Sequence, residues 1–153
     1  MSNINFPHSH NLTRKTSTVD TFDDLQDVTA SNNNIGLGES ALEGITSSGV
    51  VAIGFQAGND GVDVKDESVI IGYQAGALGC GEKTVAIGTS AGHGVNAKNS
   101  DNSVLIGARV CTGLSGTYND DCIVIGSDSG IGGTGVSSIC IGDTASAKGD
   151  RNI

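Results

Sequence analysis

An Ile-Gly pair returns along this chain at near-even spacing, beginning at Ile35, Ile53, Ile71, Ile87, Ile106, Ile125 and Ile141, with intervals of 18, 18, 16, 19, 19 and 16 residues. A period of this length constrains the fold more than any local motif does, because it marks an architecture of stacked units. Such a molecule is quasi-one-dimensional, each unit touching chiefly its neighbours. The expectation is an elongated structural or binding object, not a compact enzyme.

Aligned on the Ile, the position two before it reads Asn33, Val51, Val69, Val85, Val104, Ile123 and Ile139. The position between reads Asn34, Ala52, Ile70, Ala86, Leu105, Val124 and Cys140. The glycines that follow the Ile are Gly36, Gly54, Gly72, Gly88, Gly107, Gly126 and Gly142. Small residues such as Ala57, Ala75 and Ala91, then Gly58, Gly76 and Gly92, stand four and five positions after it. The unit is Val-x-Ile-Gly-x-x-Ala-Gly, followed by a polar, Gly-rich stretch of variable length.

Branched side chains two apart lie on one face of a strand. Val51, Ile53, Val69, Ile71, Val85, Ile87, Val104, Ile106, Ile123, Ile125, Ile139 and Ile141 are therefore expected as the structural core ladder. A strand of about five residues cannot bury its own apolar face, so stacking must do so. The seven glycines are expected to turn the chain, each at a bend or a close backbone approach. Length variation falls in stretches such as Asn59 to Glu67 and Asn96 to Asn102, as surface turns require. After the glycine stand Leu37, Phe55 and Tyr73, read as a short packing ladder or as a strip that touches a ligand.

The 153 residues divide into an N-terminal anchor or tail, 1–31, and a shaft or head of seven repeats, 32–153. Gly is abundant at 24 residues, but there is no Gly-X-Y period and Pro occurs once, which excludes a collagen-like rod. A net charge of -9 argues against nucleic-acid binding, since phosphate contacts need clustered Lys and Arg. Scarce aromatics argue against stacking platforms for single strands. Neither an apolar leader nor a stretch long enough to span a membrane is read in the chain, so assembly in a cytoplasm is expected. Cys80, Cys111, Cys122 and Cys140 follow no Cys-x-x-Cys spacing, which points away from zinc. They are expected as buried thiols, with bridges formed in an oxidising medium as the alternative.

The tail holds Phe6, Pro7, His8, His10, Arg14 and Lys15, then an acidic segment around Phe22 and Leu25. This composition suits a segment that orders on a partner, and Phe6, Pro7, Phe22 and Leu25 are its candidate anchor residues.

The units Val51-Ala52-Ile53-Gly54-Phe55-Gln56-Ala57-Gly58 and Val69-Ile70-Ile71-Gly72-Tyr73-Gln74-Ala75-Gly76 resemble two related repeat families. One is the head of trimeric autotransporter adhesins, with Val-Ala-Ile-Gly repeats. The other is the Ile-Gly-Tyr-Gln-Ala repeat of bacteriophage tail fibres. The resemblance covers about residues 32 to 146. It implies an all-β repeat solenoid, a left-handed parallel β-roll, in an intertwined or side-by-side homotrimer with an extended N-terminal tail. The expected function is a virion fibre or spike that projects from a phage particle and contributes to host-surface attachment. Expected partners are the chain itself, other virion proteins through the tail, and a host surface glycan or protein, without nucleic acid or membrane insertion. The alternative is the head fragment of a bacterial surface adhesin, although no secretion signal, stalk or membrane anchor is read here.

An enzyme of this shape would be a left-handed β-helix acyltransferase, whose coil of about 18 residues is close to these intervals. Its other two faces should then carry aliphatics at hexapeptide spacing. Six and twelve residues after Ile53, Ile71 and Ile87 stand Asn59 and Lys65, Ala77 and Lys83, and His93 and Asn99. Only one face in three fits. His93, the sole repeat His, sits in a Gly-rich turn and reads as a solvated residue rather than a catalytic base. The acidic turns at Asp60, Asp63, Asp66 and Glu67 and at Asn119, Asp120 and Asp121 lack calcium-loop spacing. No catalytic, cofactor-binding or metal residue is assigned, and no enzyme activity or cofactor is expected.

Overall fold

The computed structural model describes residues 28–29, 32–59, 64, 66–94, 100–112, 120–130, 136–146 and 151. The described chain is all-β. Its strands are β1 (Val28–Thr29), β2 (Ile35–Leu37), β3 (Val51–Ile53), β4 (Val69–Ile71), β5 (Val85–Ile87), β6 (Val104–Ile106), β7 (Ile123–Ile125) and β8 (Ile139–Ile141). The seven strands β2 to β8 form one parallel sheet in chain order, the signature of a β-solenoid in which each repeat contributes one strand. β1 pairs antiparallel with β2, so Val28–Thr29, within the segment expected as tail, extends the sheet by one strand.

Registered stacking satisfies the backbone between rungs, in the turns as well as the strands. Val51 N–H donates to the Ser68 carbonyl at 2.9 Å, Gly54 N–H to Leu37 at 2.8 Å, Gln56 N–H to Glu39 at 2.9 Å and Gly58 N–H to Ala75 at 2.9 Å. One rung on, Val69, Gly72, Gln74 and Gly76 repeat the pattern toward Thr84, Ile53, Phe55 and Ala91. Each rung thus supplies the donors and acceptors its neighbours require.

The first rung corrects the sequence alignment. Ile35 pairs with Val51, Gly36 with Ala52 and Leu37 with Ile53. The interval from the Leu37 position to Ile53 is therefore 16 residues, not 18. Gly36, expected as a turn glycine, lies inside β2 and is buried. The turn falls to Gly38, with φ 126°, where an added Cβ would stand 2.7 Å from the Gly54 carbonyl oxygen. The other six turn glycines, from Gly54 to Gly142, hold φ between 130° and 148°, a region side chains rarely adopt. Side-chain direction in a strand has period two, so a two-residue slip leaves the same face apolar and hydrophobic patterning cannot detect it. Leu37 consequently joins the Ile column, and Phe55 and Tyr73 form the aromatic ladder without it.

The second correction concerns the core. The interior is filled by the middle residue of each strand: Ala52, Ile70, Ala86, Leu105 and Val124 are all 0% exposed. Ala57, Ala75, Ala91 and Val110 from the following turn, and Val50 before β3, complete it. The Val and Ile columns do stack in register, Val51 on Val69 and Ile53 on Ile71, and so on to Ile139 and Ile141. They stand on the opposite face, however, half-buried or exposed in every strand. All three strand positions are apolar, and strict alternation lets only the middle one point inward. A buried polar column precedes the strands, with Asn34, Ser68, Thr84, Ser103 and Ser138. Asn34 donates from Nδ2 to the Ser47 carbonyl and accepts the Val50 N–H through Oδ1, both at 2.8 Å, which offsets its burial.

Candidate interaction surface

The face carrying the Val and Ile columns is the most unusual surface of the molecule. Six consecutive rungs, β3 to β8, each present two branched aliphatics outward in register, and Ile35 and Leu37 of β2 continue the columns. At about 4.8 Å per rung the stripe runs about 30 Å. Ile53 and Ile123 are each 38% exposed and Ile141 is 66% exposed. On the inside, each of the same strands contributes only its middle residue, which ranges from Gly36, Ala52 and Ala86 to Ile70, Leu105 and Val124. A soluble chain ordinarily keeps its large aliphatics inside, and an extended apolar stripe is the usual mark of an interaction site.

Beyond the glycine bend, a corner of the solenoid carries side-chain ladders. Phe55 and Tyr73 stack with ring centroids 5.3 Å apart and planes inclined by 14°. In the next column Gln74 donates from Nε2 to Gln56 Oε1 at 2.9 Å. Further along that column Arg109 clamps Asp128 through Nε and Nη2, each at 2.6 Å. Hydrogen bonding from the Arg109 guanidinium holds the Asp128 carboxyl below its ordinary range, and Asp128 raises Arg109 in return. Lys83 is raised likewise, chiefly by its hydrogen bond with the adjacent Glu82 at 2.6 Å.

The remaining candidates do not converge on one site. His93 donates its backbone N–H to the Ser90 carbonyl, closing a turn between Gly92 and Gly94. Asp66 accepts the Ser48 N–H at 2.9 Å, and Asp120 accepts the Asp101 N–H at 3.0 Å, so these carboxylates brace adjacent rungs. Among the described residues no group of three or more His, Cys, Asp and Glu side chains could hold a metal ion. The four cysteines are buried thiols. Burial pushes the Cys111 thiol up to about 12, reinforced by the other three cysteines. Asp60, Asp63, Asn119 and the anchor candidates Phe6, Pro7, Phe22 and Leu25 lie outside the described residues.

Sequence reasoning missed the Gln56–Gln74 and Arg109–Asp128 pairs. Their signal was present as complementary residues 18 and 19 apart, the local repeat length, at one position of the unit. Fold and surface together define a parallel β-solenoid repeat protein with an outward apolar sheet face. Compared with known proteins, the chain matches no family model, no curated protein and no solved structure.

Proposed function

We propose that this protein is a structural fibre or spike of a virion, assembled as a homotrimer through the Val and Ile face. One observation carries the reading: every strand from β3 to β8 turns two large branched aliphatics outward in register and only its middle residue inward. Each rung presents the same two branched positions, so three copies set side by side around a common axis bring like residues together at every level. A mismatch at one rung would recur at all of them, which makes the in-register arrangement self-reinforcing. The resemblance to autotransporter heads and phage tail-fibre repeats supports the trimer and the left-handed coil. Assembly in the host cytoplasm, with docking of the N-terminal segment on another virion protein, follows from the same reading. Catalysis has no part in it.

Two experiments test this. Ile71→Asp places three carboxylates in the shared interface and abolishes assembly, since an unpaired buried charge is strongly disfavoured. Soluble trimer from that variant contradicts the interface. Deletion of residues 1–27, which spares β1, leaves the solenoid folded and absent from particles; particles that retain it contradict the docking role. The reading as an adhesin head shares the trimer and is favoured by the exposed aromatic pair. It differs in requiring the isolated shaft to bind cells.

A further inference from the structure

The aromatic ladder ends abruptly. Phe55 and Tyr73 hold equivalent positions on successive rungs, and the next two rungs place Thr89 and Ala108 there. One face of Tyr73 is covered by Phe55. The other looks along the solenoid axis over side chains too small to cover it. Tyr73 is accordingly 52% exposed against 36% for Phe55. The outcome is a step: a ring-sized ledge with an aromatic wall.

The rim of the step is polar and uncharged. Gln74 Nε2 is committed to Gln56, while Gln74 Oε1 makes no hydrogen bond among the described residues. Exposed Thr89 and half-buried Ser90 bring hydroxyls one rung on. Arg109, the next cation along the amide column, is neutralised by its bidentate contact with Asp128. The ledge lies beyond the glycine bend, outside the strands that carry the Val and Ile face.

We infer that this step is a binding seat for a neutral saccharide, with one pyranose ring stacked on the open face of Tyr73 over Thr89. A pyranose has the required division, an apolar C–H face and a rim of hydroxyls that both donate and accept. Recognition by an apolar platform with a few placed polar groups is the general pattern of small-molecule sites. A nucleotide stacked through its base would bring phosphates toward a protein of net charge -9. An organic cation would gain from the ring face but would find Gln74, Thr89 and Ser90 in place of a free carboxylate. The inference gives the projecting fibre proposed above a ligand class, and rests on that reading for its setting alone.

The test is saturation-transfer NMR on the full chain with a panel of neutral methyl pyranosides, and with tetramethylammonium as the cation probe. Tyr73→Ala removes the wall. Thr89→Tyr extends the aromatic ladder by one ring and fills the seat while keeping Tyr73. At least one pyranoside should bind with millimolar affinity, and both substitutions should weaken it by about tenfold or more. Light scattering on each variant reads assembly separately. Sugar binding that survives Thr89→Tyr overturns the seat, as does tetramethylammonium binding without sugar, or no pyranoside response at about 10 mM. Sugar binding lost on both substitutions by a chain that proves monomeric would support the seat while removing the fibre.

Discussion

Gly88 combines a φ of 132° with an α-carbon so close to Gly107 that a Cβ would overlap the Gly107 carbonyl oxygen. Gly88→Ala therefore carries backbone strain of about 1–3 kcal/mol and overpacking of a similar size. Gly142 has the same backbone, φ 135°, but a Cβ there would meet only the Ala145 Cβ at 3.7 Å. Gly142→Ala should lower the midpoint of urea unfolding clearly less than Gly88→Ala; equal effects would remove close approach as a cause. The first rung offers a sharper contrast. Gly38→Ala should destabilise, whereas Gly36→Ala, in the column that elsewhere holds Ala52 and Ile70, should be tolerated. The reverse order would contradict the register. Two titrating groups behave predictably as well. Cys111, pushed up to about 12, should resist iodoacetamide in the native protein near neutral pH and react once denaturant exposes it. Rapid native alkylation would contradict its burial. Asp128 sits below the ordinary value of 3.8 when folded, so its stabilising contribution is complete above that pH and fades as pH falls through the depressed folded value. The melting difference between wild type and Arg109→Gln should shrink on that acid limb, and a difference that persists there would point to packing instead.

At the scale of the strand, neighbours have opposite roles. Ile70 is fully buried inside the solenoid, while Ile71, next along β4, points outward and is half-buried. Ile70→Ala should lower the stability of the fold itself by about 2–5 kcal/mol, whatever the oligomeric state. Ile71→Ala should act mainly through assembly, with a protein-concentration dependence in its melting that Ile70→Ala lacks. Equal behaviour of the two would contradict the assignment of faces. This is also where the sequence was least legible. The strands, their parallel stacking and the bends at six of the seven glycines could be read from the repeat, because β-branched pairs followed by Gly have few alternatives. Which face was inside could not, because Val69, Ile70 and Ile71 are all apolar and a period-two pattern needs a polar partner to set its phase. The first rung misled for a related reason: Ile35-Gly36 copies the repeat's dipeptide, while the defining Gly38 follows a Leu. The side-chain ladders became visible only with registered rungs, since Arg109 and Asp128 are 19 residues apart.

At the largest scale, the described residues form a stack held together by rung-to-rung hydrogen bonds, with a thin interior of Ala, Val, Ile and Leu and a long apolar face outside it. Nearest-neighbour coupling of this kind makes stability approximately a sum over rungs and interfaces. A chain so built gains its largest further burial by covering the outer face, and identical copies provide a matching surface at every level. The most direct measurement is the solution mass of the full chain by light scattering, with small-angle X-ray scattering for shape, on wild type and on Ile71→Asp. Assembly through the outer face should give a wild-type particle of three chain masses with an elongated profile, and the variant should lose that particle. A wild-type monomer that stays soluble at high concentration with the Val and Ile face open would contradict it.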